Sequence, residues 1–324
     1  MRVAILFSPQ GSQVVGMGRE LAEAWPSARA MFEAADAALG WSVSAVAWHG
    51  PPDRLDDTRQ TQPCLVATSL AAHAALREAS ADVDLPLDPA AMAGHSVGEY
   101  AALPACGVLS VSDALRLVAL RARLMAEVAT GGAMTAVIGL DRERIGEVVA
   151  QFPPDELVVA NDNAPGQVVI SGTPDALARA ERQLVDAGAR RVMPLRVSGP
   201  FHSPLMATAG AALAEAFDRV RWSDADPPMI SNVTGRPVSD AARIRELLAQ
   251  QVTSPVEWVT SVRSMAADGI DTFIECGPGT TLTGMVRRIV PGARALNVSD
   301  PSTLQTTIEA LRETAVGSAA GASV

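Results

Sequence analysis

The sequence predicts an α/β protein built on a parallel sheet, with a second, smaller α/β unit set into it. Three observations carry that expectation. Val3-Ala4-Ile5-Leu6-Phe7 is an unbroken apolar run, as expected of a strand buried on both faces. Strand-like and helix-like segments alternate along most of the chain, which favours parallel pairing. Residues 131–197 read on their own as β-α-β-β-α-β, the order of a ferredoxin-like unit.

The first strand ends in the polar loop Ser8-Pro9-Gln10-Gly11-Ser12-Gln13, and a helix is expected over 17–35. A second helix is expected over 62–78, then a Pro- and Asp-rich loop over 82–88. A short strand at 90–93 leads into Gly94-His95-Ser96-Val97-Gly98. A long helix follows over 112–130, with Ser112 as its N-cap.

In the inserted unit, strands are expected at 134–140, 157–161, 167–171 and 191–197. Its helices fall at 142–151 and from Thr173-Pro174-Asp175 to 187, where Gly188 stops the second. Beyond it, 229–232 and 272–275 read as buried strands, and Gly277-Pro278-Gly279 opens a helix over 281–289. The chain thus divides into a large body of 1–130 and 198–314 and a small one of 131–197. A small, polar tail over 315–324 is expected to be disordered.

Composition narrows the function. The 324 residues are 48% hydrophobic and 19% charged, with a formal net charge of -10, which suits a globular protein. All 26 basic residues are Arg and none cluster, so nucleic acid is not an expected partner. Cys64, Cys106 and Cys276 are odd in number and show no metal-ligand spacing; they read as reduced core residues of a cytoplasmic protein. No run is long enough for a membrane helix, and the N-terminus lacks the features of a signal peptide.

Gly94-x-Ser96-x-Gly98 is the nucleophile-elbow pattern. The serine occupies a sharp strand-to-helix turn, and glycines on both sides let the two elements pass closely. The helix N-terminus below offers free N–H groups to a developing oxyanion. A glycine-rich turn with a structural serine fits the same five residues. A serine needs a base. Of the four histidines, His95 is adjacent to Ser96 and suited to orienting the elbow; His49 and His73 read as structural or exposed. His202, in Ser198-Gly199-Pro200-Phe201-His202-Ser203-Pro204 after a strand end, is the candidate base.

Arg121 is out of place. At 100° per residue it falls on the stripe Leu117, Arg121, Leu124, Val128, the apolar face of its helix. A buried guanidinium requires an anion, either a protein carboxylate or a substrate carboxylate held by its fork.

Five motifs in order, Gln10-Gly11-Ser12-Gln13, Gly94-His95-Ser96-Val97-Gly98-Glu99-Tyr100, Arg121, Pro200-Phe201-His202-Ser203-Pro204-Leu205-Met206 and Ser254-Pro255-Val256-Glu257-Trp258, resemble the malonyl-CoA:acyl carrier protein transacylase family of fatty acid and polyketide synthesis. The resemblance reaches to about residue 300. It implies an α/β-hydrolase-like large domain with a ferredoxin-like insert. It implies a Ser96–His202 dyad with a backbone carbonyl orienting the imidazole, and an oxyanion hole of the Gln10 and Val97 N–H groups. Arg121 would hold the malonyl carboxylate, with Gln251 beside the active site. Phe201 would crowd an α-methyl branch, a discrimination of only ~1–3 kcal/mol. His95 joins this substrate-binding set.

Two departures stand out: Ser8-Pro9 where the family has Pro-Gly before the glutamine, and Pro104 early in the helix after the elbow, where it is expected to bend that helix. The implied reaction is ping-pong transfer of malonyl from CoA through Ser96 to the phosphopantetheine thiol of an acyl carrier protein. No bound cofactor or metal is expected, and a monomer is. Arg190, Arg191, Arg287 and Arg288 are candidates for docking the acidic carrier. Rival readings are a polyketide-pathway acyltransferase with another acyl-CoA or acyl-carrier donor, a thioesterase, and a non-enzymatic interaction module.

Overall fold

A computed structural model describes the backbone of residues 1–128, 131–197 and 199–321, and the side chains of these as far as residue 314. Two sheets organise it. In chain order the strands are β1 (Val3–Phe7), β2 (Ala91–Gly94), β3 (Ala133–Ile138), β4 (Leu157–Ala164), β5 (Gln167–Gly172), β6 (Arg191–Pro194), β7 (Met229–Ile230), β8 (Pro237–Val238), β9 (Thr272–Cys276) and β10 (Arg294–Val298). The six-stranded sheet runs β10-β9-β1-β2-β7-β8, parallel except for β8 at its edge. The four-stranded antiparallel sheet runs β4-β5-β3-β6, the ferredoxin-like order.

β1 shows why an unbroken apolar run becomes a central strand. All five residues are buried. Side chains alternate across a strand. Val3, Ile5 and Phe7 therefore enter the core beneath the helices Pro26–Leu39, Thr58–Ala81 and Val111–Val128. Ala4 and Leu6 enter the opposite core with Trp258, Phe273 and Leu282. The small sheet has its own core around Val137, Ile145, Val168, Ile170 and Leu184.

Several expected boundaries move. The helix expected over 17–35 is two helices, Arg19–Ala24 and Pro26–Leu39, because Trp25 before Pro26 is extended and Pro26 starts a new first turn. The helix expected over 62–78 runs Thr58–Ala81, capped by Asp57. The helix expected over 112–130 is Val111–Val128, and its cap is Ser110, not Ser112: Ser110 Oγ accepts from Asp113 N–H at 3.1 Å and donates to the Asp113 carboxylate at 2.7 Å. Residues 129–130 lie outside those described. Pro104 does not bend a longer helix; Glu99–Ala105 is short and ends one residue after it. The strand expected over 191–197 pairs only as far as Pro194. β8 and β10 were not expected. The final helix is Pro301–Gly321, so the segment read as a disordered tail, 315–324, falls where side chains, and from 322 also the backbone, lie outside those described.

β4 carries two register shifts against β5, which leave Ala160 and Asn163 as extra residues. Such bulges re-aim side chains. At the first, the Ala160 carbonyl accepts from Val256 N–H and the Asp162 N–H donates to the Val256 carbonyl, so β4 also joins the large body beside the elbow.

Candidate active site

The elbow is built by close approach. A Cβ on Gly94 would lie 1.9 Å from the Gly98 carbonyl carbon, and one on Gly98 would lie 2.3 Å from Phe7 O. Only glycine fits either position. Between them Ser96 is held at φ +52°, a left-handed conformation that costs a non-glycine residue of order 1–3 kcal/mol. Bonds to both sides of Ser96 fix it there. Its N–H donates to Asn232 Oδ1 at 2.6 Å, and its carbonyl accepts from Gln251 Nε2 at 2.9 Å.

Ser96 Oγ lies 2.7 Å from His202 Nε2. The other ring nitrogen, Nδ1, faces two carbonyls, Gln251 O at 2.9 Å and Ser254 O at 3.1 Å. Carbonyls only accept, so Nδ1 carries the proton and Nε2 is free to accept one from the serine. Burial, with help from the Arg121 charge, pushes the His202 pKa down to about 3 and keeps the ring neutral.

Arg121 is 1% exposed. One arm of its fork donates to Gln62 Oε1 at 2.7 Å; the other reaches Ser96 Oγ and Gln251 Oε1, each at 3.1 Å. The guanidinium sits over the Tyr100 ring, 5.5 Å from its centroid. Among the described residues Arg121 makes no ion pair, so the protein supplies it amide oxygens and a ring but no directly paired carboxylate.

His95 points away from Ser96. Its Nε2 bonds Asn163 Oδ1 at 2.7 Å, and its ring packs edge-on to Trp258. Burial holds its pKa near 4, so it is a neutral strut between the elbow and the bulge of β4. Gln10 reaches Thr58 Oγ1 and Gln62 through its side-chain amide. Val97 is buried under the turn. Ser8, the first departure in this loop, is buried and donates to Glu275 at 3.2 Å. Its hydroxyl fits because residue 277 is glycine: a Cβ there would come within 2.6 Å of it.

These groups open onto a cleft of about 760 Å³ between the two sheets. Gln10, His95, Ser96, Arg121 and His202 line it from the large body; Met134, Ala136, Val169, Leu195 and Val197 form the apolar part of a second wall that also carries Asn161, Asn163, Gln167 and Arg196, with Phe201 between. The four arginines considered for docking are elsewhere and differ. Arg288 donates to Gln167 Oε1 and Pro165 O, bracing the β4–β5 turn, and Arg287 donates to Ala295 O. Arg190 and Arg191 are exposed and free of ion pairs among the described residues.

Sequence reasoning missed Gln62, Glu99, Asn163 and Asn232. Glu99 had a signal of the same kind as Arg121, a charge opening an otherwise apolar helix. Asn232 lies just past the carboxyl end of β7, where ligands gather in α/β sheets. Among the described residues no group of His, Cys, Asp or Glu could hold a metal, and no helix is long and apolar enough to cross a membrane.

A serine at a strained strand-to-helix turn, with a neutral imidazole on its oxygen, is the arrangement of enzymes that carry an acyl group as a serine ester. The model of the acyl transferase domain matches residues 5–309, and the chain belongs to that family. It is 40% identical over 316 residues to the malonyl CoA-acyl carrier protein transacylase of Bacillus subtilis, covering 96% of this chain and 98% of that one. The Escherichia coli K12 protein of the same name is 38% identical over 94% of this chain and 98% of its own. The crystal structure of an acyl carrier protein S-malonyltransferase from Vibrio cholerae superposes with a TM-score of 0.88 at 38% identity, covering 95% of this chain and all of that one. A malonyl-transacylase solved in complex with its type II PKS acyl-carrier protein gives 0.89 at 37% identity, covering 95% of this chain and 99% of that one.

Proposed function

We propose that the protein moves a malonyl group from CoA to the phosphopantetheine thiol of an acyl carrier protein. The observation that carries this reading is that Ser96 Oγ touches both a neutral imidazole and the end of a buried guanidinium that lacks a paired carboxylate. His202 Nε2 takes the Ser96 proton as Oγ attacks the thioester carbonyl. The backbone N–H groups of Gln10 and Val97 receive the oxyanion, a contribution of ~3 kcal/mol per donor in comparable sites. The tetrahedral intermediate collapses, CoA leaves as a thiol with the proton from His202, and malonyl-Ser96 remains. The carrier's thiol then attacks, again passing its proton to His202, and Ser96 takes it back. Arg121 pairs with the malonyl carboxylate in both halves, and Phe201 limits the room at the α-carbon.

The relatives' names support the donor and acceptor. The chain's division into 1–130 with 198–314, and 131–197, belongs to the same reading; all four strands of the antiparallel sheet fall in the second part. Arg190 and Arg191 are the pair proposed to meet the carrier. We assign the enzyme to the cytoplasm, working as a monomer without bound cofactor or metal.

The test is covalent capture. Labelled malonyl-CoA with the pure protein should leave a stable ester on Ser96, and Ser96→Ala should leave none. Label on wild type that decays at once in water, without any carrier protein, would sink the transferase reading and favour a hydrolase.

A further inference from the structure

One carboxylate lies behind the whole elbow. Glu99 is 2% exposed and makes no ion pair among the described residues. Its Oε1 accepts from the backbone N–H of Asn232 at 2.6 Å, and its Oε2 accepts from Gln251 Nε2 in a short bond. These two residues are the ones that hold Ser96: the Asn232 amide receives the Ser96 N–H and donates to Gly94 O, and the Gln251 amide donates to the Ser96 carbonyl. The opposite end of Gln251, Oε1, receives Arg121. A glutamine amide turned by 180° would aim N–H groups at the guanidinium and an oxygen at two acceptors. The Ser96 carbonyl and the Arg121 fork favour the observed sense, and Glu99, which as a carboxylate accepts and never donates, adds the charged bond that locks it.

We propose that Glu99 is the positioning residue of this site, fixing the sense of the Gln251 amide and through it both the Arg121 fork and the Ser96 backbone. It touches no substrate. The inference rests on the acyl-Ser96 reading above, since it assigns Glu99 a part in forming that ester.

The position requires the ionised form, because a protonated carboxyl offers an O–H where Gln251 offers N–H. Burial pushes the Glu99 pKa up to about 7, against the pull of the Asn232 and Gln251 bonds and the Arg121 charge. The charged and titratable groups facing it are Arg121, from the helix Val111–Val128, and Tyr100, whose phenol burial holds protonated. Acylation of Ser96 should therefore rise with pH through about 7. His202 does not supply that limb, since it is already neutral above about 3. Asp162 has a carboxyl raised to about 6, so the assignment needs a variant.

The measurement is the single-turnover rate of Ser96 acylation by malonyl-CoA across pH 5.5–9, before any carrier thiol is present. Glu99→Gln, which must present an N–H to one of its two donors, should slow acylation ~100-fold at pH 8, the scale of a small misplacement, and flatten the limb. Gln251→Met, which deletes the amide Glu99 acts on, should also flatten it, and the double variant should be no slower than the slower single. A Glu99→Gln enzyme that acylates at the wild-type rate overturns the proposal. So does one that is slow yet keeps the limb, which is what a merely structural role predicts. If Glu99→Gln does not fold, Gln251→Met decides: a retained limb overturns the proposal. Absence of any ester on wild-type Ser96 would instead fail the acyl-transfer reading itself.

Discussion

The two walls of the cleft are built from different materials. On the large-sheet side Arg121 and His202 are buried, Ser96 is half-buried, and each is held several times over: Ser96 by backbone and side chain, Arg121 by two glutamines, His202 by two carbonyls. On the small-sheet side aliphatic side chains share the lining with Asn161, Asn163, Gln167 and Arg196, a separate core lies behind, and Asn163 reaches across to His95. Bond-making groups need fixed positions, which buried multiple bonding supplies. Fit to a substrate needs only shape, which apolar side chains supply at lower cost. One wall thereby carries the fixed polar groups, Arg121 among them, and the other supplies much of the apolar contact surface.

Substitutions on each side can break that division. Arg121→Ala should have the largest effect. Malonyl loading should drop ~10²–10³-fold, the loss seen when one charge-stabilising donor is removed, with far less effect on acetyl loading. The ratio of malonyl to acetyl ester on Ser96, read by mass, checks this; an unchanged ratio would end the role given to Arg121. Asn163→Ala strands a buried His95 nitrogen and should cost ~1–3 kcal/mol in urea unfolding. Its acylation rate should fall far less than that of Arg121→Ala; an equal fall would erase the distinction between the walls. Phe201→Ala should relax the choice between malonyl and α-methylmalonyl donors by ~1–3 kcal/mol, measured as a ratio of kcat/KM values. Ile170→Val, in the small core, should be mildest, ~0.5–1.5 kcal/mol in unfolding with acylation unchanged.

What could be read from the chain alone follows the same split between local and distant causes. β1, the elbow and Arg121 announce themselves through local pattern: an apolar run, paired glycines, a charge on an apolar stripe. His202 was found because only four histidines exist and one follows a strand end. Gln62, Asn232 and Asn163 are ordinary amides in sequence; only long-range folding brings them to the site, over separations such as the 136 residues between Ser96 and Asn232. Pro26 marks the break at Trp25 within the sequence itself. β8 has two residues and β10 opens on an arginine and includes Asn297, so neither presents an apolar run.

The cradle of His202 has a consequence for how long a loaded enzyme keeps its cargo. Two carbonyl dipoles orient the ring but put no full negative charge behind it, and its pKa lies near 3. Ser96 Oγ is helped to lose its proton by its fixed contact with Nε2; an attacker arriving from solution has no such hold, so its own acidity matters more. Bulk water, with a pKa of about 15.7, asks much of the ring; a thiol, near 8.5, asks far less. On the proposed chemistry the ester on Ser96 is therefore slow to spoil by hydrolysis and quick to yield to an arriving thiol. Placing a carboxylate where Ser254 O now sits would shorten the life of that ester, turning a courier into a wasteful hydrolase.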